Sequence, residues 1–183
     1  STGPSLEKQL PLLKKYQDYF TILSVDASFP VLYREGIKPY IVLAMERVPE
    51  VANFFIDIPE EFFKDVVFML ATVCHDDAFD SIKSGGIVCP YLRADEHNID
   101  LGLDKWGYLG GGLCGANYLF NFSANAGFEN FVFIGHIECN IDPLLKVSNI
   151  YFIGAKSHCE LPNYIQHWNV ALLPFKDNKQ IQM

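Results

Sequence analysis

Apolar residues in this 183-residue chain fall into short, nearly unbroken runs separated by segments of helical length. Residues 19–25 (YFTILSV), 40–45 (YIVLAM), 66–72 (VVFMLAT), 87–92 (IVCPYL), 131–134 (FVFI), 150–153 (IYFI) and 170–173 (VALL) each read as a strand. Runs without polar alternation belong to strands buried on both faces, the habit of a parallel sheet wrapped by helices. Pro90 weakens the fourth run and suggests an edge or a bulge. Helical spacing is clearest at Leu6, Leu10, Leu12, Leu13 and Tyr16. Phe29–Glu35 predicts a short helix stopped by Gly36, and 59–64 another. Residues 79–83 turn through Gly85-Gly86. A further helix is expected over 113–126 with Gly127 as its C-cap, and one more over 161–168. Residues 94–112 are polar and Gly-rich, with no period. The pattern predicts one α/β domain over 1–183, a Rossmann-like three-layer sandwich whose mostly parallel sheet carries helices on both faces. Ile22, Val42, Phe68, Val132, Phe152 and Leu172 are its expected buried positions, and ligands of such sheets sit at the carboxyl ends of the strands.

Composition narrows the functions such a sheet could serve. Half the residues are hydrophobic and 14% aromatic, enough for a substantial core. A net charge of −8 without a basic cluster excludes a general nucleic-acid or anionic-membrane surface. A local anion site built from backbone N–H groups remains compatible with that charge. The five cysteines (Cys74, Cys89, Cys114, Cys139, Cys159) are odd in number, widely spaced and without a CxxC pair. Buried, reduced thiols in a cytoplasmic protein are therefore expected, with neither a metal nor a cofactor. The apolar runs are too short to span a bilayer.

Two glycine turns carry the candidate chemistry. Ser1-Thr2-Gly3-Pro4-Ser5-Leu6 runs into the first helix. Gly3 would allow close backbone approach, Ser5 would cap the first turn, and the unpaired amides would favour an anion. The alternative is an N-terminal tail with an ordinary cap. In nucleotide-binding α/β proteins this element follows a buried strand, so the chain is expected to begin one strand late. The second turn is WGYLGGGLCGAN, residues 106–117, in which Gly110, Gly111 and Gly112 precede a helix start holding Cys114, Gly115 and Asn117. It resembles an anion-facing helix N-terminus, with a flexible connector as the alternative. Asp26, just past a strand, could bond a ribose or amino-sugar hydroxyl or simply cap the next helix. Glu46-Arg47 holds the equivalent position after the second strand, where a surface ion pair is expected. His75 opens His-Asp-Asp, either a base or metal fragment or an exposed helix start. His97 lies in the polar loop, His136 follows the strongest strand, and His158 and His167 read as surface or packing residues.

TGPSLEKQLPLLKKY, FTILSVDASFPVLYREGIKP, VLAMERV and LDKWGYLGGGLCGANYLFNFSANAGFENFVFIG, spanning about residues 1–135, resemble the motility accessory factor family of flagellin glycosylation. The resemblance implies a sialyltransferase-like domain that takes a nucleotide sugar, a CMP-activated nonulosonic acid (sialic, pseudaminic or legionaminic), with flagellin as the possible acceptor. It implies nucleotide-sugar contacts at Gly3, Pro4 and Ser5, pocket-lining roles for Asp26 and Ser28, and a phosphate- and carboxylate-facing turn from Gly111 and Gly112 through Cys114 and Gly115 to Asn117. The chain departs from the family pattern in three places. Cys114 stands where serine is expected, no acidic residue separates Pro39 from Tyr40, and His136-Ile-Glu-Cys-Asn replaces Gln-Asp-Leu-Ala after Gly135. From 131 onward, FVFIGHIECN…NIYFIGAKSHCELPNYIQHWNVALLPFK resembles instead the donor half of retaining two-domain (GT-B) glycosyltransferases. Residues 136–183 thus read as a GT-B-like tail, and the chain as a junction of two glycosyltransferase pieces. Two alternatives stand beside this reading: a catalytically inactive fusion or interaction domain, and a fragment of a GT-B enzyme. No catalytic residue is assigned.

Overall fold

The computed structural model describes residues 4–19, 21–93, 96–111, 114–129, 131–133, 144–152, 160 and 171–172. Four strands, β1 (Leu23–Val25), β2 (Ile41–Ala44), β3 (Val67–Ala71) and β4 (Ile87–Tyr91), form a parallel sheet in the order β1-β2-β3-β4. Leu23, Ile41, Val67 and Ile87 stand in register across it. Three more, β5 (Phe131–Phe133), β6 (Ile150–Phe152) and β7 (Ala171–Leu172), form a second parallel sheet in the order β6-β5-β7. Among the described residues the helices are α1 (Pro4–Tyr16), α2 (Phe29–Glu35), α3 (Asn53–Ile56), α4 (Glu60–Phe63), α5 (Asp76–Asp80), α6 (Glu96–Asp100) and α7 (Gly115–Asn125). The α/β, Rossmann-like reading holds. The strands, however, divide between two sheets instead of sharing one. β4 is the edge that Pro90 suggested: a residue without an N–H is tolerated where no further strand pairs, and Ile87, Val88, Cys89 and Pro90 are all exposed.

Local chemistry explains most boundaries. α2 ends where expected, because Gly36 adopts φ +68° and its N–H bonds the carbonyls of Leu32 and Tyr33. α7 ends at Gly127 (φ +88°), and the Phe128 N–H reaches back to the Ser123 carbonyl at 3.1 Å. Three expectations need correction. Residues 17–19 wind into a 3₁₀ turn continuing α1, so β1 begins only at Leu23. The turn read at 79–83 begins inside a helix, Asp76–Asp80, which His75 opens by accepting from the Asp77 N–H. Residues 94–112 also hold more order than their composition suggested, with α6 and a 3₁₀ turn at Asp104–Trp106. The helix expected over 161–168 lies outside the described residues.

Side chains alternate across the sheet, so Phe68 and Leu70 share one face while Met69 and Ala71 share the other. The Phe68 face carries an aromatic cluster. Phe29 of α2 lies 5.3 Å from Phe68, 5.4 Å from Phe62 and Phe63 of α4, and 5.9 Å from Phe55 of α3, ring centre to ring centre. Phe63 stacks on Phe68 at 5.2 Å. Phe29, Phe55, Phe63 and Phe68 are wholly buried. Lys83 ties α3 down, its ammonium donating to the carbonyls of Ile56 and Ile58. A smaller core joins Leu10 of α1 to Ile22, Leu32 and Ile37. Ile22, Val42 and Phe68 are buried as expected, whereas the side chains of Val132, Phe152 and Leu172 lie outside the description. No helix among the described residues is long and apolar enough to cross a membrane.

Removing the Phe68 ring from this cluster leaves a cavity that its three neighbouring rings, Phe29, Phe55 and Phe63, cannot close. Phe68→Ala should lower unfolding free energy by about 3–5 kcal/mol, whereas Tyr19→Ala, at an exposed ring, should change it by less than about 0.5 kcal/mol. Urea denaturation followed by circular dichroism measures both.

Candidate functional site

The carboxyl ends of β1 to β4 form a rim, and the first residues beyond each strand compose it. β1 ends at Val25, and a 3₁₀ turn, Asp26–Ser28, runs directly into Phe29. Because the aromatic cluster holds Phe29, the turn that carries Asp26 is held as well. One oxygen of Asp26 accepts from the Ala27 N–H at 2.6 Å. Burial raises the Asp26 carboxyl above its ordinary value, against the lowering effect of that hydrogen bond, and the nearby Glu46 carboxylate adds to the rise. Ser28 is only 2% exposed, and among the described residues its hydroxyl finds no hydrogen-bond partner. Buried hydroxyls rarely go unpaired.

α7 brings a helix N-terminus to the same rim. Gly115 is its first residue, and a Cβ there would lie 3.1 Å from Val25 Cγ1 and 3.4 Å from Leu43 Cδ2. Glycine therefore lets the helix start press against the ends of β1 and β2. Cys114 is the N-cap in extended conformation, without a side-chain capping bond, and Cys114 and Asn117 are both exposed. The Asn117 N–H already bonds the Cys114 carbonyl at 3.0 Å, so the amides of Gly115 and Ala116 are those that the start of a helix leaves without intrahelical acceptors, at the positive end of the dipole.

The ends of β3 and β4 supply the rest. Two residues past β4, the Arg93 Nε donates to the Tyr118 hydroxyl of α7 at 3.0 Å, with the guanidinium 5.8 Å from the ring centre. Tyr118 packs on Tyr91 at 5.7 Å, and the Tyr91 hydroxyl reaches the Ala44 carbonyl at 3.5 Å. Burial holds the Tyr91 phenol well above its usual range. Burial likewise pushes the Cys74 thiol up to about 11, with the Asp26 and Glu46 charges adding to it. That thiol stays protonated at neutral pH and is no nucleophile.

The expected site residues are thus placed as follows. Asp26 and Ser28 share the β1–α2 turn, and Cys114, Gly115 and Asn117 share the start of α7, which packs on the strand that feeds that turn. Pro4 and Ser5 form the first turn of α1, while Gly3 and Gly112 lie outside the described residues. Gly111 has a packing role: a Cβ on it would fall 2.5 Å from the buried Tyr118 ring. Three of the five cysteines are described, and only Cys74 is buried; Cys89 and Cys114 are exposed, contrary to the expectation of buried thiols. No Glu46–Arg47 ion pair is seen among the described residues, and Glu46 faces Asp26 electrostatically instead. His75 is a helix cap, its Nδ1 accepting from the Asp77 N–H at 3.2 Å. His136 lies outside the description. The sequence reading passed over Tyr91, Arg93 and Tyr118. Their signal was positional, since Arg93 directly follows the apolar run 87–92 and Tyr118 stands one helical turn after Cys114.

Over residues 1–141 the chain matches the model of the family described as 6-hydroxymethylpterin diphosphokinase MptE-like. No curated protein and no solved structure matches it.

The two neighbouring glycines of the loop should respond differently to a methyl group. Gly111→Ala drives a Cβ into Tyr118 and should cost about 1–3 kcal/mol by overpacking. At Gly110 the nearest atom, Asn121 Nδ2, is 3.8 Å away, so Gly110→Ala should leave stability nearly unchanged. Equal denaturation midpoints for the two variants would refute the packing role of Gly111.

Proposed function

The chain belongs to the MptE-like family, which includes motility-accessory-factor-like proteins, and on that footing we propose that its strand-end rim binds a nucleotide-activated sugar for transfer. The donor is a CMP-activated nonulosonic acid and the acceptor a flagellin hydroxyl. In the reaction the acceptor oxygen attacks the anomeric carbon, the bond from that carbon to the phosphate oxygen breaks, and CMP leaves with the electron pair. Outward-pointing amides of α7 stabilise the phosphate as its charge grows. Asp26 accepts a hydrogen bond from a sugar or ribose hydroxyl, Ser28 and Asn117 line the pocket, and the acceptor proton passes to solvent. Gly3, Pro4, Ser5, Gly111, Gly112 and Cys114 complete the nucleotide-sugar contacts in this reading. A cytoplasmic address belongs to it too, as does a single domain over 1–183. The observation that carries it is Gly115, which seats a helix N-terminus against the strand whose end bears Asp26.

The family's description names a second chemistry, diphosphate transfer to 6-hydroxymethylpterin. Both reactions require a nucleotide phosphate at the start of α7 and differ in the atom attacked: the anomeric carbon in sugar transfer, with CMP leaving, and the β-phosphorus of ATP in diphosphate transfer, where the pterin hydroxyl attacks and AMP leaves. Calorimetric titration with CMP, UDP, GDP and ATP separates them: selective CMP binding supports sugar transfer. ATP binding followed by AMP release in the presence of the pterin supports diphosphate transfer. Absence of nucleotide binding contradicts both and leaves an interaction domain.

Asp26 offers a test in which stability and binding move in opposite directions. A carboxyl whose folded pKa lies above its ordinary 3.8 stabilises the fold fully below 3.8, and that contribution is lost as pH rises through the folded value. At neutral pH the ionised, buried Asp26 is therefore a net burden. Asp26→Asn, which keeps an acceptor for the Ala27 N–H, should raise the melting temperature at pH 7, with the difference vanishing in acid. It should also weaken CMP binding roughly tenfold, the scale of one hydrogen bond to a charged group. A variant both less stable and equally tight would show that Asp26 is only a cap.

A further inference from the structure

Beside α7, on the sheet face that it leaves open over β3 and β4, lies a recess of about 600 Å³. Met69 of β3 and Tyr91 of β4 form its floor, Pro90 lines it at the sheet edge, Thr72 and Leu92 stand at the strand ends, and Leu103 and Tyr108 stand in the loop that walls it. Side chains that β4 and α7 leave uncovered would ordinarily meet another helix. Here the covering element is a folded loop fastened at both ends. The Leu109 N–H donates to the Leu92 carbonyl at 2.8 Å, and Leu109 bridges Arg93. The Asn98 amide holds the Arg93 carbonyl at 2.7 Å, while the Leu103 N–H holds the Asn98 carbonyl at 2.8 Å. The wall is therefore built by hydrogen bonds and does not depend on a ligand to form.

The lining decides what could enter. Among the described residues it contains no charged side chain, two tyrosine rings and several aliphatic groups. Tyr91 is buried, but Tyr108 leaves 56% of its surface open, which an exposed aromatic ring can turn to stacking. The volume fits a small molecule and is too small for a helix of a partner protein. Tyr91 touches Tyr118, which holds Arg93, so the recess adjoins the rim on which the phosphate site was placed.

We propose that this recess is the nucleobase subsite of the chain: it takes the planar, uncharged nitrogen heterocycle of the nucleotide, stacked on Tyr108, while the phosphate lies toward α7. This rests on the nucleotide reading given above, and it goes further by assigning the base to residues that neither glycine turn contains. Tyr108 and Leu103 become specificity-determining residues, and Arg93 separates the base end of the ligand from its phosphate end.

Calorimetry with CMP, with cytidine and with inorganic pyrophosphate on the whole chain tests the assignment. Tyr108→Ala should weaken CMP and cytidine by about tenfold, the usual effect of deleting one stacking ring, and leave pyrophosphate unchanged. Tyr108→Phe should restore binding, since the face of the ring and not its hydroxyl is required. Leu103→Trp, which fills the recess, should abolish cytidine binding. Far-UV dichroism and melting temperature should match the parent in each case. CMP affinity unaltered by both Tyr108→Ala and Leu103→Trp would overturn the subsite while leaving the phosphate site intact. Cytidine binding that survives Leu103→Trp would overturn it as well. Displacement of 6-hydroxymethylpterin, but not cytidine, by these variants would reassign the recess to an acceptor. Pyrophosphate that fails to bind while cytidine still binds in a Tyr108-dependent way would refute the phosphate reading and keep the subsite.

Discussion

Phe29 connects the core of this protein to its chemistry. Its ring meets four other phenylalanines from β3, α3 and α4, and its backbone directly follows the turn that carries Asp26 and Ser28. A three-residue 3₁₀ turn has little rigidity of its own, since it closes few hydrogen bonds. Anchoring its last residue in a close-packed aromatic cluster supplies the rigidity that the turn lacks. The same cluster holds three short helices, each of four to seven residues, which isolated would not form in water. Tertiary burial therefore makes the secondary structure here, and with it the position of the strand-end rim.

The opposite face is organised by small residues. Gly115 lets α7 reach the ends of β1 and β2, and Gly111 lets the preceding loop lie flat on Tyr118. Close packing brings a helix N-terminus, a buried carboxyl and an arginine held by a tyrosine to one edge of the sheet. It also carries a cost: Asp26 ionises in a place that disfavours its charge, next to a second carboxylate. Sites that bind ligands commonly retain such unfavourable groups at a cost in stability.

The strand pattern was legible because buried parallel strands leave unbroken apolar runs, and Val42, Phe68 and the Gly36 stop were readable from those runs and from one αL position. The edge at β4 was legible in Pro90. The phenylalanine cluster was not, because its members come from four separate elements and no local period links Phe29 to Phe68. The division into two sheets was equally hidden, since strand pairing is a long-range property that a one-dimensional pattern does not encode. At the rim, glycines drew attention because they break patterns. Two of them, Gly111 and Gly115, have packing reasons, while Arg93 and Tyr118 break no local pattern and so carry no such signal.

The central claim is that the β1–α2 turn and the start of α7 form one nucleotide-phosphate site at the carboxyl rim. Amide chemical-shift mapping during a CMP titration examines it directly. The account predicts that the amides of residues 26–28 and 114–117 shift together, with one common dissociation constant, and that those of the amino-terminal ends of the same strands stay still. Shifts confined to one of the two segments, or centred at the amino ends of the strands, would contradict it.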